Sequence, residues 1–328
     1  MMIRGVSCPA AAVCVMQQRI RPIIPDMTHL PRLAGLLTAL LLCAPWGTTL
    51  AQGMLWQAQR GQSLIFLYAS VHVCDAGCYP FAPAVQQALQ ISQVLAVELD
   101  PEREDISQKI SQRGFYPPGQ SLRPLFTPEQ YKRLEEVFSS QYNKRLETLL
   151  HMRPWLFQTA LSIYAAEKVG LDSSLGVDLK LMQQARALKK PIRPLETLDE
   201  QLQMLELLAA QDPAGQMKQL AEQFESGLLG IQLSNLVVVW KRGDAQRLSS
   251  MLDALQTDAE KQPAFQNELR LRNQRMTQRM LQLLQEYRTV MVVVGAAYYF
   301  EPGSLLTLLQ QQGFEIRRLP TDRPTPAK

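Results

Sequence analysis

Two apolar runs near opposite ends of the chain constrain its fold most. Residues 94–99 and 290–294 are rich in valine and leucine and show no alternation with polar residues. A strand that faces water on one side alternates; one that does not must be covered on both faces, as in a parallel sheet sandwiched by helices. Weaker strand patterns fall at 55–59 and 64–70, flanking the turn Arg60-Gly61-Gln62 as a hairpin, and at 191–195 and 314–319. Apolar spacing of three to four residues predicts helices at 83–92, 128–140, 154–168, 175–188, 198–210, 214–230, 245–255, 262–287 and 303–312. Thr127 and Gln130 have the spacing of a capping box. The expected architecture is α/β, with a mostly parallel central sheet, flanking helices and a largely helical insert over about 120–287.

The first fifty residues belong to a different class. An eleven-residue apolar run, 33–43, follows Arg32 and precedes Pro45 and the small-residue site Thr49-Leu50-Ala51. That order describes a secretory leader over 1–51, too short in its apolar part to span a bilayer comfortably, with a retained membrane anchor as the alternative. Met27 is the better start for such a leader, leaving 1–26 as an upstream extension. The remainder is expected to form one domain, 52–320, with a frayed polar tail at 321–328, no stable membrane span, and a periplasmic or secreted location.

Of 34 basic and 30 acidic residues, four arginines and one aspartate lie in the leader, so the rest is near neutral. That is no footprint for nucleic acid. The one dense basic cluster, Arg270 to Arg279, reads as a solvated helix face. Outside the leader only Cys74 and Cys78 remain, and in an oxidising compartment such a pair forms a disulfide; a zinc site needs more ligands than this loop has.

Ligands of open α/β sheets bind beyond the carboxyl ends of strands. His72 follows the strand 64–70, Glu98 and Asp100 close 94–99, Glu196 follows 191–195, and Gly295-Ala296-Ala297-Tyr298 follows 290–294. These groups are expected to line one cleft. Carboxylates with one imidazole suit a divalent ion such as Mn, Co or Zn, or serve as general acid and base; His72 as a hydrogen-bonded structural histidine and Glu98 as a carboxylate satisfied by backbone donors stay open beside these. The other histidine after the leader, His151, sits beside Arg153-Pro154-Trp155. No nucleophile elbow, H-E-x-x-H, P-loop or dinucleotide fingerprint occurs.

Several segments, in order, resemble the TraB/GumN family, relatives of the TIKI metalloproteases. They are Ala69-Ser70-Val71-His72, Tyr79-Pro80, Glu98-Leu99-Asp100, Arg153-Pro154-Trp155, Gly176-Val177-Asp178, Leu195-Glu196-Thr197 with Gln201, Arg272-Asn273 with Met276, and Val294-Gly295-Ala296-Ala297. The resemblance implies a metal-dependent hydrolase acting on a peptide or protein. His72, Glu98 and Glu196 would be catalytic; His72, Glu98 and Asp178 would hold the metal; Ala69, Asp100, Gly295 and Tyr298 would line the site. The chain departs from the family at both G-x-x-H motifs, where Ala69 replaces a glycine and Tyr298 a histidine. A phenol is protonated at neutral pH and is a poorer ligand than imidazole. Two readings follow: a hydrolase with a degraded centre, and a catalytically inactive binding or interaction protein.

Overall fold

The computed structural model describes residues 51–101, 106–300 and 303–321. All of the expected leader but Ala51, and the tail from 322, lie outside them. Among the described residues, six strands form one sheet and eleven helices surround it.

The hairpin pairs β1 (Met54–Arg60) with β2 (Ser63–Ser70), Arg60 opposite Ser63. Gly61 takes φ +57° at the turn, a conformation that side chains resist. Next come α1 (Pro83–Ile91) and β3 (Val94–Val97), then α2 (Ile106–Gly114), α3 (Pro128–Tyr142) and α4 (Pro154–Lys168). α5 (Val177–Ala187) leads into β4 (Ile192–Pro194). Five helices follow: α6 (Leu198–Ala209), α7 (Pro213–Glu225), α8 (Leu228–Lys241), α9 (Ala245–Leu255) and α10 (Pro263–Glu286). β5 (Thr289–Gly295), α11 (Leu305–Gln311) and β6 (Glu315–Leu319) close the fold.

The strand order is β4-β3-β5-β2-β1-β6. The ladders β4/β3, β3/β5 and β5/β2 are parallel, as expected of unalternating apolar strands. β1 runs antiparallel to both β2 and β6, so the sheet is mixed rather than parallel throughout. Because β2, β3, β4 and β5 run the same way, their carboxyl ends meet at one edge. Ser70 lies opposite Gly295 there, and Val97 opposite both Val293 and Pro194.

One apolar core covers both faces of the sheet, with the valines of β3 and β5 fully buried. A second core joins α3, α4, α6 and α7, where the rings of Phe138 and Phe224 stack 5.2 Å apart. α3 starts at the Thr127–Gln130 capping box. The expected single helix 214–230 is two: Gly227 at φ +73° breaks it, although Leu220, Phe224 and Leu229 share one core. An unbroken apolar repeat hides a break when both helices pack on the same cluster. Neither α2 nor the later part of α8 was expected.

Candidate functional site

The site is assembled at the carboxyl edge of the sheet. The chain leaves β2 at Ser70 and runs into a loop that carries His72 and is fastened on several sides. Cys74 exchanges backbone hydrogen bonds with Asp172, and a disulfide joins Cys74 to Cys78. The Tyr79 hydroxyl donates to the Leu175 carbonyl over 2.6 Å. Val177 N–H donates to the Val71 carbonyl over 2.9 Å, binding the loop to the first turn of α5. That turn presents Asp178, a carboxylate in the part of a helix where negative charge is favoured.

Asp178 Oδ2 lies 3.0 Å from His72 Nδ1, and Glu98 Oε1 lies 3.8 Å from His72 Nε2. The imidazole therefore stands between two buried carboxylates. β3 ends at Val97, one residue before Glu98, but the Glu98 carbonyl still accepts the Glu196 N–H over 3.0 Å, which carries the parallel pairing past the strand end. Glu98 Oε1 accepts the Gly295 N–H over 2.6 Å. A Cβ on Gly295 would come within 3.2 Å of that oxygen and 3.4 Å of His72 Nε2, so any side chain there would crowd the pair.

Two side chains close the cluster. Gln201, in the first turns of α6 beyond the Thr197–Glu200 capping box, donates to Glu196 over 3.0 Å and to Glu98 over 3.3 Å. Arg272 of α10 makes a two-pronged ion pair with Glu196 and approaches Glu98 Oε2 at 3.8 Å. Its guanidinium also lies 4.9 Å from the centre of the Tyr298 ring.

Burial is the largest influence on His72 and pulls its pKa down. Asp178, through charge and hydrogen bond, and Glu98, through charge, outweigh it and raise the pKa to about 9. Burial raises the Glu98 carboxyl, against the cations of His72 and Arg272. Arg272 loses by burial but gains more from Glu196, and stays charged. The cluster thus sets an imidazole and a guanidinium among the carboxyl groups of Asp178, Glu98 and Glu196.

The structure brings together His72, Glu98, Asp178, Glu196, Gly295 and Tyr298, among the residues singled out from sequence. Asp100 is paired with Arg186 at 2.6 Å instead. Ala69 is buried within β2, its carbonyl accepting from the Trp240 indole over 2.8 Å. His151 stacks on Phe115 on the helical side, away from His72. Arg272 was missed as a site residue because its segment was read as a solvated face. Arg270 is indeed exposed, but Arg272 lies on the face that buries Met276 and Met280. Its spacing of four from Met276 was the available signal.

The donor set does not fit a divalent ion. His72 Nε2 is buried without a hydrogen-bond partner, and Asp178 engages the opposite ring nitrogen, where it orients the ring and cannot itself join Nε2 on an ion. Both Glu98 oxygens accept hydrogen bonds, and a guanidinium lies beside them. Among the described residues no three His, Cys, Asp or Glu side chains are grouped to hold a metal.

The chain is thus a mixed α/β protein with a buried histidine–carboxylate cluster at the carboxyl edge of its sheet. The TraB/PrgY/gumN family profile matches residues 54–318, and the chain belongs to that family. Metalloprotease TIKI1 of Danio rerio is 26% identical over 320 residues, covering 82% of this chain and 64% of the relative. Metalloprotease TIKI2 of the same organism is 22% identical over 327 residues, 82% of this chain and 61% of the relative. The uncharacterized protein YbaP of Escherichia coli is 26% identical over 146 residues, 44% of this chain and 53% of the relative. The chain thus spans less than two thirds of the length of these relatives. No solved structure matches.

Proposed function

We propose that this protein is an exported member of the family, periplasmic or secreted, in which a hydrolase centre has lost its place for a divalent ion and kept its cleft, so that it binds rather than turns over its partner. The metalloprotease relatives support an ancestral hydrolase and a peptide or protein as partner. The Cys74–Cys78 disulfide supports an oxidising compartment. Among the described residues no helix is long and apolar enough to cross a membrane.

The observation that carries the loss is Tyr298, a phenol where the family's second motif has a histidine, gathered with His72 and Glu98 around Gly295. Arg272, whose guanidinium engages Glu196 and adjoins Glu98, already satisfies carboxylates that an ion would need. Asp178 Oδ2, 3.0 Å from His72 Nδ1, orients the ring and leaves Nε2 facing Glu98 Oε1 at 3.8 Å.

Metal analysis of the purified protein, followed by a peptide-cleavage screen with added Mn or Co, tests this. Metal far below one ion per chain and no cleavage are expected. Stoichiometric metal and cleavage that are both lost in His72→Ala would overturn the reading. The pair Tyr298→His with Ala69→Gly is expected to gain metal affinity that the wild type lacks; no gain would show that Tyr298 is not what was lost.

A further inference from the structure

Helix α8 carries no charged residue from Leu228 to Trp240, yet it is not buried all round. Its inner side packs into the two cores through Leu229, Leu233, Val237 and Trp240. On its outer side Ile231 is 53% exposed and Val238 40%. A helix apolar on every side belongs in an interior or against another surface. Val169, 38% exposed just past the end of α4, widens the patch: a Cβ on Gly230 would stand 2.9 Å from its Cγ1. Apolar residues scattered singly over a surface are ordinary, but three of the five large ones exposed among the described residues gather here.

The outer residues have the spacing of a packing seam. Ile231, Asn235, Val238 and Arg242 are all exposed and follow one another at intervals of four, three and four, the repeat along which one helix meets another at a shallow crossing. Ile231 and Val238 are β-branched and apolar. Asparagine at such a position fixes register between identical helices, because its amide both donates and accepts and so pairs with its own copy. Arg242 ends the seam, and Glu222, exposed on α7, precedes its start.

Symmetry selects the occupant. About a two-fold axis beside Asn235 two copies of α8 run antiparallel, and Ile231 of each meets Val238 of the other. Arg242 then falls beside the first turn of the opposite α8, the end that Glu222 precedes, and the two helix dipoles oppose. A parallel pair would set Arg242 against its own copy. The antiparallel face is thus complementary to itself in apolar contact, hydrogen bonding and charge.

We propose that the outer face of α8 is the interface of a homodimer, with two copies of the helix packed antiparallel through Ile231, Asn235 and Val238. So short a seam is smaller than the roughly 800 Å² per partner of a standard interface, so the dimer is weak and concentration-dependent. It stands whether or not the His72 site turns anything over.

Sedimentation equilibrium of the purified whole protein reads it. A monomer–dimer equilibrium with a Kd of about 10–100 µM is expected. Ile231→Glu and Val238→Glu each put a charge into the seam from an exposed position; each is expected to keep the wild-type circular dichroism and to weaken association by about tenfold or more. Arg242→Glu or Glu222→Arg alone sets like charges together twice per dimer and is expected to weaken it by about fivefold, and the two combined are expected to restore wild-type association. Wild-type protein that stays monomeric at about 1 mM would overturn the assignment, including protein that binds phosphatidylcholine vesicles or a different protein instead. So would a dimer that correctly folded Ile231→Glu and Val238→Glu leave unweakened, or one that the charge-reversed pair fails to restore.

Discussion

Asp178 and Glu98 hold opposite nitrogens of one imidazole, with Asp178 Oδ2 3.0 Å from His72 Nδ1 and Glu98 Oε1 3.8 Å from Nε2. Burial alone would keep such a ring neutral; the two carboxylates make its protonated form the one that the fold favours. The folded pKa, about 9, lies above the ordinary histidine value of 6.5. The resulting stabilisation is therefore fully present below about pH 6.5 and is lost as pH rises through about 9. It amounts to at most about 3 kcal/mol. Asp178→Asn is expected to lower the His72 pKa by more than about one unit and to flatten this part of the stability curve. Side-chain NMR titration and urea unfolding between pH 6 and 9.5 check both. Glu260, raised by burial to about 7, weakens the fold over a lower window, between about 4.5 and 7, and leaves the alkaline limb to His72.

Gly176, the residue before α5, is the second point of sensitivity. A Cβ there would stand 2.8 Å from the His72 carbonyl and 2.9 Å from Asp178 Oδ1, closer than real contacts allow. Since the first neighbour is backbone, relief means moving the His72 loop away from α5. Gly176→Ala is expected to cost about 1–3 kcal/mol in urea unfolding and to lower the His72 pKa along with it. Unchanged values for both would mean that the loop gives way without cost.

All six strands were legible, β3 and β5 as unalternating apolar runs and the other four as weaker patterns with turn residues near their ends. Their parallel order then placed His72, Glu98, Glu196 and Tyr298 on one edge without reference to any relative. The side-chain pairings were not legible. Asp100 stands two residues from Glu98, yet β3 ends at Val97, so strand alternation no longer governs it and it reaches Arg186. Arg272 was hidden by composition: a helix rich in arginine looks solvated, and only tertiary packing against Glu196 separates the buried one from its exposed neighbours.

The Cys74–Cys78 disulfide closes a short ring two residues past His72. In the loop-entropy picture a ring of this size stabilises by about 2 kcal/mol. Replacing both cysteines with alanine is expected to lower stability by about that amount, and intact-mass analysis after alkylation should find no free thiol in exported wild-type protein. Two alkylated thiols without reductant would refute the bond in that compartment.

Arg272 gives the largest expected effect. It is nearly buried against Glu196, whose side chain is 2% exposed, with Glu98 at 3.8 Å. Removing the cation leaves two carboxylates in a low-dielectric site with Gln201 and one backbone N–H as their remaining donors near the cluster. Arg272→Met is therefore expected to destabilise by about 3–5 kcal/mol, the usual cost of orphaning a buried charge. The pair itself is worth less than that, because desolvation offsets much of its attraction. Arg272→Met combined with Glu196→Gln should thus be more stable than Arg272→Met alone, by roughly 1–3 kcal/mol. A double-mutant cycle in urea measures the difference directly. Additive effects would show that Arg272 acts on Glu98 or Tyr298 rather than through Glu196, whereas the expected coupling identifies the Arg272–Glu196 pair as what holds the guanidinium in the cluster.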